Sequence, residues 1–320
     1  FDGGLVDYVR YLNADKTPLH EEPIYLAGQR EDVIFRAAIQ YTDSYTENVF
    51  SYVNNIPTGE GGSHETGFKA AYTKVMNDFA RRLGALKDKD PNLGGDDFRE
   101  GMTAVMVAMV KNPQFEGQTK GRLGNTEVRP LVEAIVTQQL TAYFENLKNQ
   151  ELCQKLVEKA VRAAQVREKA VELLSARPLS RKELVEKLTV RPRNRGKEPL
   201  CGREAAEAAA DWLEGLGYLD DGQYARAVAE HCAAKGYGPG RIREELYRRG
   251  VPRDCWDGAL EGLSGPEEAI DAFLQRKLRG AELSDPKVRR RAADALARRG
   301  YRWEDISAGL RRYGAEPEEW

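Results

Sequence analysis

The sequence predicts a multidomain chain, an α+β domain followed by an all-α array. Period-two alternation between Val33 and Tyr41, with a nearly unbroken apolar run from Met102 to Val110, demands a sheet. Beyond about residue 168 strand signals stop, and a helix–glycine–turn unit recurs at an offset of 50 residues.

In the first domain Val33, Phe35, Ala37, Ile39 and Tyr41 alternate with Ile34, Arg36, Ala38 and Gln40, which suits a strand with one more deeply buried face. The run Met102–Val110 suits a central strand covered on both faces. Phe68, Tyr72, Val75, Phe79 and Leu83 recur at three and four residues and predict an amphipathic helix. A second helix, starting at Glu127, sets Val128, Leu131, Val132, Ile135, Tyr143 and Leu147 near one face. Turns fall at Gly59 to Gly62 and at Gly94-Gly95, where a positive φ is tolerated.

In the second domain Ser180 with Glu183 forms a capping-box signature, and Ser264 with Glu267 repeats it around Pro266. Ala206, Ala209, Leu213 and Leu216 make an apolar stripe. The offset pairs Leu246 with Leu296, Arg248 with Arg298, Arg249 with Arg299, Gly250 with Gly300, Val251 with Tyr301 and Leu260 with Leu310. Gly217-Tyr218-Leu219-Asp220-Asp221 is a shorter echo. Each copy reads as a helix, a glycine C-cap, one apolar residue and an acid opening the next helix. Three copies imply a stacked helical array with partner-binding faces. No Pro/Gly/Ser linker divides the halves; Glu151 to Leu174 reads as one helix crossing a boundary between domains 1–167 and 168–320.

At 320 residues there is chain enough for two cores, and 31% charged with 41% apolar residues excludes a disordered polymer. No apolar run is long enough for a membrane span, and no secretory leader stands at the start, where Phe1 replaces Met and suggests a truncated or processed end. Cys153, Cys201, Cys232 and Cys255 form no CxxC pair, and only His20, His64 and His231 could join them, so a reducing cytoplasm and no metal site are expected. The net charge of −2 hides bunched cations at Arg241, Arg243, Arg248 and Arg249, at Lys287 and Arg289 to Arg291, and at Arg298, Arg299 and Arg302. Two readings fit them: a potential that attracts nucleic acid or an acidic protein face, or a solvated surface balanced by Glu244, Glu245, Asp294 and Glu304. In Pro113-Gln114-Phe115-Glu116-Gly117-Gln118-Thr119-Lys120 a lysine on a glycine-bearing turn could meet a phosphate as a point charge, or simply be an exposed loop lysine. No GxxxxGK[ST] loop is present, which excludes a P-loop enzyme.

The runs "GGLVDYVRYLNADKTPLHEEPIY", "AIQYTDSYTENVFSYVNNIPTGEGGSHETGFKAAYTKVMNDFAR" and "EGMTAVMVAMVKNPQFEGQTKGRLGNTEVR" resemble the transducer domain of DNA gyrase B over roughly residues 1 to 167. The resemblance implies a βαβ-containing fold of the ribosomal-protein-S5-domain-2 type. It implies that Lys120, supported by Gln118, reaches the γ-phosphate of ATP held by a separate ATPase domain. It also implies gyrase A, a second copy of gyrase B and DNA as partners of the parent. The family's catalytic Glu, Mg²⁺-binding Asn, metal-binding domain and tyrosine nucleophile lie outside these residues. The expectation is therefore no ATP hydrolysis, no strand passage and no cofactor for this chain alone, with ATP and Mg²⁺ belonging to the full gyrase B parent.

"REKAVELLSARPLSRKELVEKL", "LGYLDDGQYARAVAEHCAAKGYGPGRIREELYRRGVP" and "RRGYRWEDISAGL" resemble the RecX family over residues 168 to 313, with an Arg/Gly-rich insertion from Thr189 to Arg203. This implies three tandem three-helix repeats, docking on the RecA filament formed on single-stranded DNA, and no covalent chemistry. Tyr237, Arg241, Arg243, Arg248 and Arg249 are the expected RecA- or DNA-contacting residues. Ile242, Leu246, Leu213, Leu216, Tyr218, Tyr224 and Trp256 read as core. Three functions remain in play: a RecA regulator, a fragment of an ATP-dependent type II topoisomerase, and a helical DNA-binding module.

Overall fold

A computed structural model describes residues 3–117, 120–190, 199–278 and 285–313. The chain divides into two compact units, Phe1–Glu168 and Lys169–Trp320.

The first unit runs α1 (Gly4–Leu12), β1 (Ile24–Arg30), β2 (Val33–Tyr41), β3 (Asn48–Val53), β4 (Ile56–Pro57), α2 (Ser63–Arg82), α3 (Gly95–Arg99), β5 (Met102–Val110), β6 (Phe115–Glu116), β7 (Arg122–Leu123) and α4 (Val128–Glu145). Helix α5 (Gln150–Ala176) crosses the division between units. The large sheet has the order β1-β2-β5-β3-β4; β3 and β5 are parallel, joined by a crossover through α2, and the other pairs are antiparallel. The odd residues of β2, Phe35, Ala37, Ile39 and Tyr41, enter the main core with Phe68, Tyr72 and Met76 of α2 and Val132 and Val136 of α4. On the opposite face Ala38 and Val105 pack with Val9 of α1. Central β5 is therefore covered on both sides, which explains its unbroken apolar run. Ala37 stands opposite Met106 in the register.

Two expectations about helix length are corrected here. Leu83 caps α2 and is exposed, and Leu147 lies in a 3₁₀ turn past α4, because each helix ends before its periodic stripe does. Of the two expected glycine turns, the first takes a positive φ at Gly61 and Gly62, whereas in the second Gly94 has a negative φ and serves as the N-cap of α3.

The buried stripe of α5 comprises Cys153, Leu156, Val157, Ala160, Ala163, Val166 and Ala170. Arg167, the residue at the expected boundary, ion-pairs with Asp97 at 2.6 Å and Glu100 at 3.5 Å inside the first unit.

The second unit continues with α6 (Arg181–Thr189), α7 (Arg203–Gly215), α8 (Asp221–Ala234), α9 (Pro239–Arg248), α10 (Asp254–Glu261), α11 (Pro266–Lys277), α12 (Pro286–Arg298) and α13 (Trp303–Arg312). The end of α5 with α6 and α7, then α8–α10, then α11–α13, form three helical triplets. The second surrounds Tyr224, Val228, Ile242, Leu246 and Val251; the third surrounds Ile270, Leu274, Leu296, Tyr301 and Leu310. The paired Leu246/Leu296 and Val251/Tyr301 thus fill equivalent cores. Helices α7, α8, α9 and α12 each end in a glycine of positive φ, namely Gly217, Gly236, Gly250 and Gly300. The following amide closes back on the helix, as in Val251 N to Leu246 O at 3.0 Å and Tyr301 N to Leu296 O at 3.3 Å.

Neighbouring triplets are joined through these same turns. Ser180 Oγ accepts from Glu183 N at 3.1 Å, completing the capping box, and donates to Arg249 O. One triplet further on, Gly238 N donates to Arg299 O at 2.7 Å and Gly240 N to Gly300 O at 2.9 Å. A Cβ on Gly300 would lie 2.1 Å from Arg241 N.

Other expectations need correction. Ser264 caps nothing: Gly265 is the N-cap of α11, and Pro266 occupies its first position. Leu216 and Tyr218 are exposed, 52% and 73%, because both sit on the turn that ends α7 rather than on its buried stripe. Trp256 is half-buried and Tyr224 buried. Of the acids expected to open helices, Asp220 caps α8 through Gln223 N, whereas Asp254 and Glu304 sit inside first turns. Residues 191–198 of the Thr189–Arg203 insertion lie outside the described residues.

In the first unit His64 is fully buried at the start of α2, its Nε2 3.2 Å from Thr58 Oγ1, and burial lowers its pKa from 6.5 to about 4. Between those values the unfolded chain takes up a proton that the folded chain refuses. Stability owed to this group is whole above pH 6.5 and declines as pH falls toward 4. Urea midpoints of parent and His64→Gln should therefore converge on acidification through that window; parallel curves would refute the assignment. Ser180→Ala removes both a cap and a joint between triplets and should cost about 2 kcal/mol in denaturant unfolding of the second unit. Gly300→Ala should cost more, since its φ of +87° and the Arg241 backbone both reject a side chain.

Candidate functional site

Two places collect the residues singled out by sequence. The first is the lysine turn between β6 and β7. Glu60 N donates to Gly121 O at 2.9 Å and Leu123 N to Gly61 O at 3.2 Å, so the turn is clamped by the glycine loop before α2. At Gly62 (φ +140°) a Cβ would lie 2.6 Å from Leu123 N; only glycine allows this approach. Beneath the loop, His64 meets Thr58 Oγ1, which lies 2.8 Å from Ser51 Oγ, and Ser51 Oγ donates to Glu65 Oε2 at 3.0 Å. Lys69 then bridges Glu65 at 2.9 Å and Glu47 at 3.2 Å. Lys120 is exposed in a left-handed conformation, φ +55°, its amide held by Gly117 O at 3.4 Å. Among the described residues its ammonium has no ion-pair partner, so it is available to an anion. Gln118 lies outside the described residues. In the sequence His64 reads only as a candidate metal ligand; its supporting role has as its one sequence signal its place one residue beyond the paired glycines in "GGSHE".

The second place is a cavity of about 650 Å³ within the second unit, lined by Arg177 and Pro178 after α5, by Tyr224, Ala227, Val228, His231 and Cys232 of α8, by Lys235 and Tyr237, and by Arg241, Glu245, Arg248 and Arg249 on and after α9. Four of the five expected contact residues, Tyr237, Arg241, Arg248 and Arg249, meet here. Arg243 does not: its helical phase turns it toward α10, 3.7 Å from Asp257.

Glu245 organises the cations. It receives Arg248 through two hydrogen bonds of 2.6 and 3.0 Å and Arg249 through one of 2.7 Å. Arg248, as the largest cause, helps hold the Glu245 carboxyl down at about 2. Arg249 also donates to Tyr224 Oη at 2.6 Å; Tyr224 in turn donates to Glu183 at 2.9 Å, which pairs with Arg177 at 3.1 Å. Arg241 pairs with Glu244 at 2.6 Å.

The arginine at the equivalent place in the next triplet has different partners. Arg299, the counterpart of Arg249 at the 50-residue offset, donates to Lys235 O and Gly236 O at 3.1 Å each and lies over Phe273 at 4.9 Å. It thereby ties the turn after α8 to the end of α12. Arg249 is instead turned to Tyr224 and Glu245, beside the cavity. Among the described residues no cluster of three His, Cys, Asp or Glu side chains could hold a metal ion, and no helix is long and apolar enough to cross a membrane.

The family model DNA gyrase B matches residues 4–173, and models of the second and third three-helix domains of RecX match 220–260 and 266–310. The DNA gyrase B protein of Bacillus mycoides is 43% identical over 183 residues, 57% of this chain and 44% of that one. The crystal structure of the 43K ATPase domain of Thermus thermophilus gyrase B, in complex with an aminocoumarin, is 35% identical with a TM-score of 0.50, covering 55% of this chain and 46% of that one. A crystal structure of RecX from Lactobacillus salivarius is 16% identical with a TM-score of 0.42, covering 48% of this chain and 97% of that one. The chain spans less than half the length of the gyrase relatives. The chain belongs to the DNA gyrase B family through its first half, and its second half carries three-helix domains of the RecX type.

Proposed function

We propose that the chain acts through its second unit, as a non-enzymatic cytoplasmic regulator that binds RecA filaments on single-stranded DNA and modulates recombination and repair. The observation that supports this most is the convergence of Tyr237, Arg241, Arg248 and Arg249 on one basic cavity. Scattered cations would fit a solvated surface; converging ones around a carboxylate support a docking site. Added stoichiometrically to RecA-driven strand exchange, the chain should change the rate, and the double variant R241E/R248E should weaken the effect roughly tenfold. An unaltered rate with the parent chain would refute the reading. Steeply salt-dependent binding to bare single strands, with no preference for RecA-coated ones, would favour a general DNA-binding module instead.

The exposed, glycine-clamped Lys120 supports a second role for the first unit, nucleotide sensing as part of an ATP-dependent type II topoisomerase working with gyrase A and a second copy of gyrase B. ATP, bound by a gyrase B ATPase domain, would present its γ-phosphate to Lys120 and Gln118, and its hydrolysis chemistry would belong to that domain. The purified chain should hydrolyse no ATP. With a gyrase B ATPase domain supplied in trans, any stimulation should vanish in K120A; stimulation that survives K120A would remove the lysine from this role.

A further inference from the structure

We infer that the cavity between the first and second triplets takes an acidic peptide segment with an aliphatic anchor, rather than a nucleic-acid strand. This deepens the reading of the second unit as a docking module and rests on it. The charge is favourable: Arg177, Lys235, Arg241, Arg248 and Arg249 line the space against the single carboxylate Glu245. After Glu183 and Glu244 have paired with Arg177 and Arg241, two positive charges are left over. Lys235 is exposed and, among the described residues, has no ion-pair partner. The walls between these cations are Pro178, Ala227, Val228 and Cys232, which offer apolar contact and no hydrogen bonds to a base edge. A strand would need a stacking platform running along the groove; the two tyrosines present are engaged, and the imidazole of His231 is the one other aromatic ring in the lining. Tyr224 is 7% exposed, with Arg249 over its ring and its hydroxyl bound to Glu183; Tyr237 has Arg299 at 6.0 Å from its ring centre. A peptide carboxylate can enter the arginine forks that Glu245 fills, while an aliphatic side chain occupies the apolar wall. Glu245 is thus an internal stand-in for the ligand's carboxylate, and it competes with the ligand.

The test measures fluorescence anisotropy of the full chain with three labelled probes: a short peptide alternating Glu and Leu, the same peptide with Gln for Glu, and an oligothymidylate of equal charge. The Glu–Leu peptide should bind best. Ala227→Trp, which fills the mouth from an exposed position, and Lys235→Glu should each weaken it about tenfold. Glu245→Gln should tighten it several-fold, a gain that misfolding cannot produce. The inference is overturned if the Gln–Leu peptide binds equally well, if A227W and K235E leave binding unchanged, if E245Q weakens it, or if the oligothymidylate is the probe that A227W displaces. A peptide that binds as expected while strand exchange is untouched would sink the RecA reading and leave the pocket standing. RecA modulation that survives A227W and K235E would do the reverse.

Discussion

Where α12 ends, the carbonyls of Arg299 and Gly300 are received by the amides of Gly238 and Gly240, at the start of α9. Where α9 ends, the carbonyl of Arg249 is received by Ser180, at the start of α6. A helix C-terminus has carbonyls with no partner inside the helix and a helix N-terminus has amides with none, so each joint satisfies both needs at once. The left-handed glycine at each C-terminus turns the chain away and brings the carbonyls forward. Cores as small as those around Leu246 and Leu296 gain registration from these joints that apolar contact, being non-directional, does not supply.

The joints fall at the same place in the repeat but are made differently, by a serine hydroxyl at the first and by two backbone amides at the second, and their arginines also differ. Arg299 directs its hydrogen bonds to the backbone of Lys235 and Gly236. Arg249 has Glu245 and the Tyr224 phenol as acceptors, where the offset of 50 gives Arg299 only Ala295 and Leu274; Arg177 and Pro178 line the cavity beside it. The resulting network runs from Arg177 through Glu183, the neutral phenol of Tyr224, Arg249 and Glu245 to Arg248. Such pairing holds the arginine forks in place around Glu245, whose carboxylate occupies the position a ligand's carboxylate would take.

In the first unit the corresponding constraint is the clamp of the glycine loop on the lysine turn. The Gly62–Leu123 approach leaves no room for a side chain, and the fully buried His64 stays uncharged above its lowered pKa beneath it. A rigid support under Lys120 gives an exposed, flexible side chain a fixed origin.

Much of this was legible in the residues. Period two at Val33–Tyr41 and the unbroken run at Met102–Val110 specify one strand with a main core face and one strand buried on both sides, because side-chain alternation in a strand admits no other arrangement. The glycine turns and the Ser180 capping box were legible for the same reason: they are local chemistry within a few residues. Errors fell at helix ends, where Leu83, Leu147 and Leu216 continue a periodic pattern that the backbone has already left. The periodicity of a stripe does not contain the stopping point. What the sequence by itself determined is the pair of fold classes, the repeat and the list of cations. Tertiary structure alone decided that Arg243 turns away, that Arg249 and Arg299 play different parts, and that Glu245 and Lys235 join the cavity. Those outcomes depend on which acceptors meet each guanidinium once α8 and α9 and the turns around Arg177 and Lys235 have packed. The loss of Glu245 and Tyr224 at the 50-residue offset shows that Arg299 must bond elsewhere, but not where.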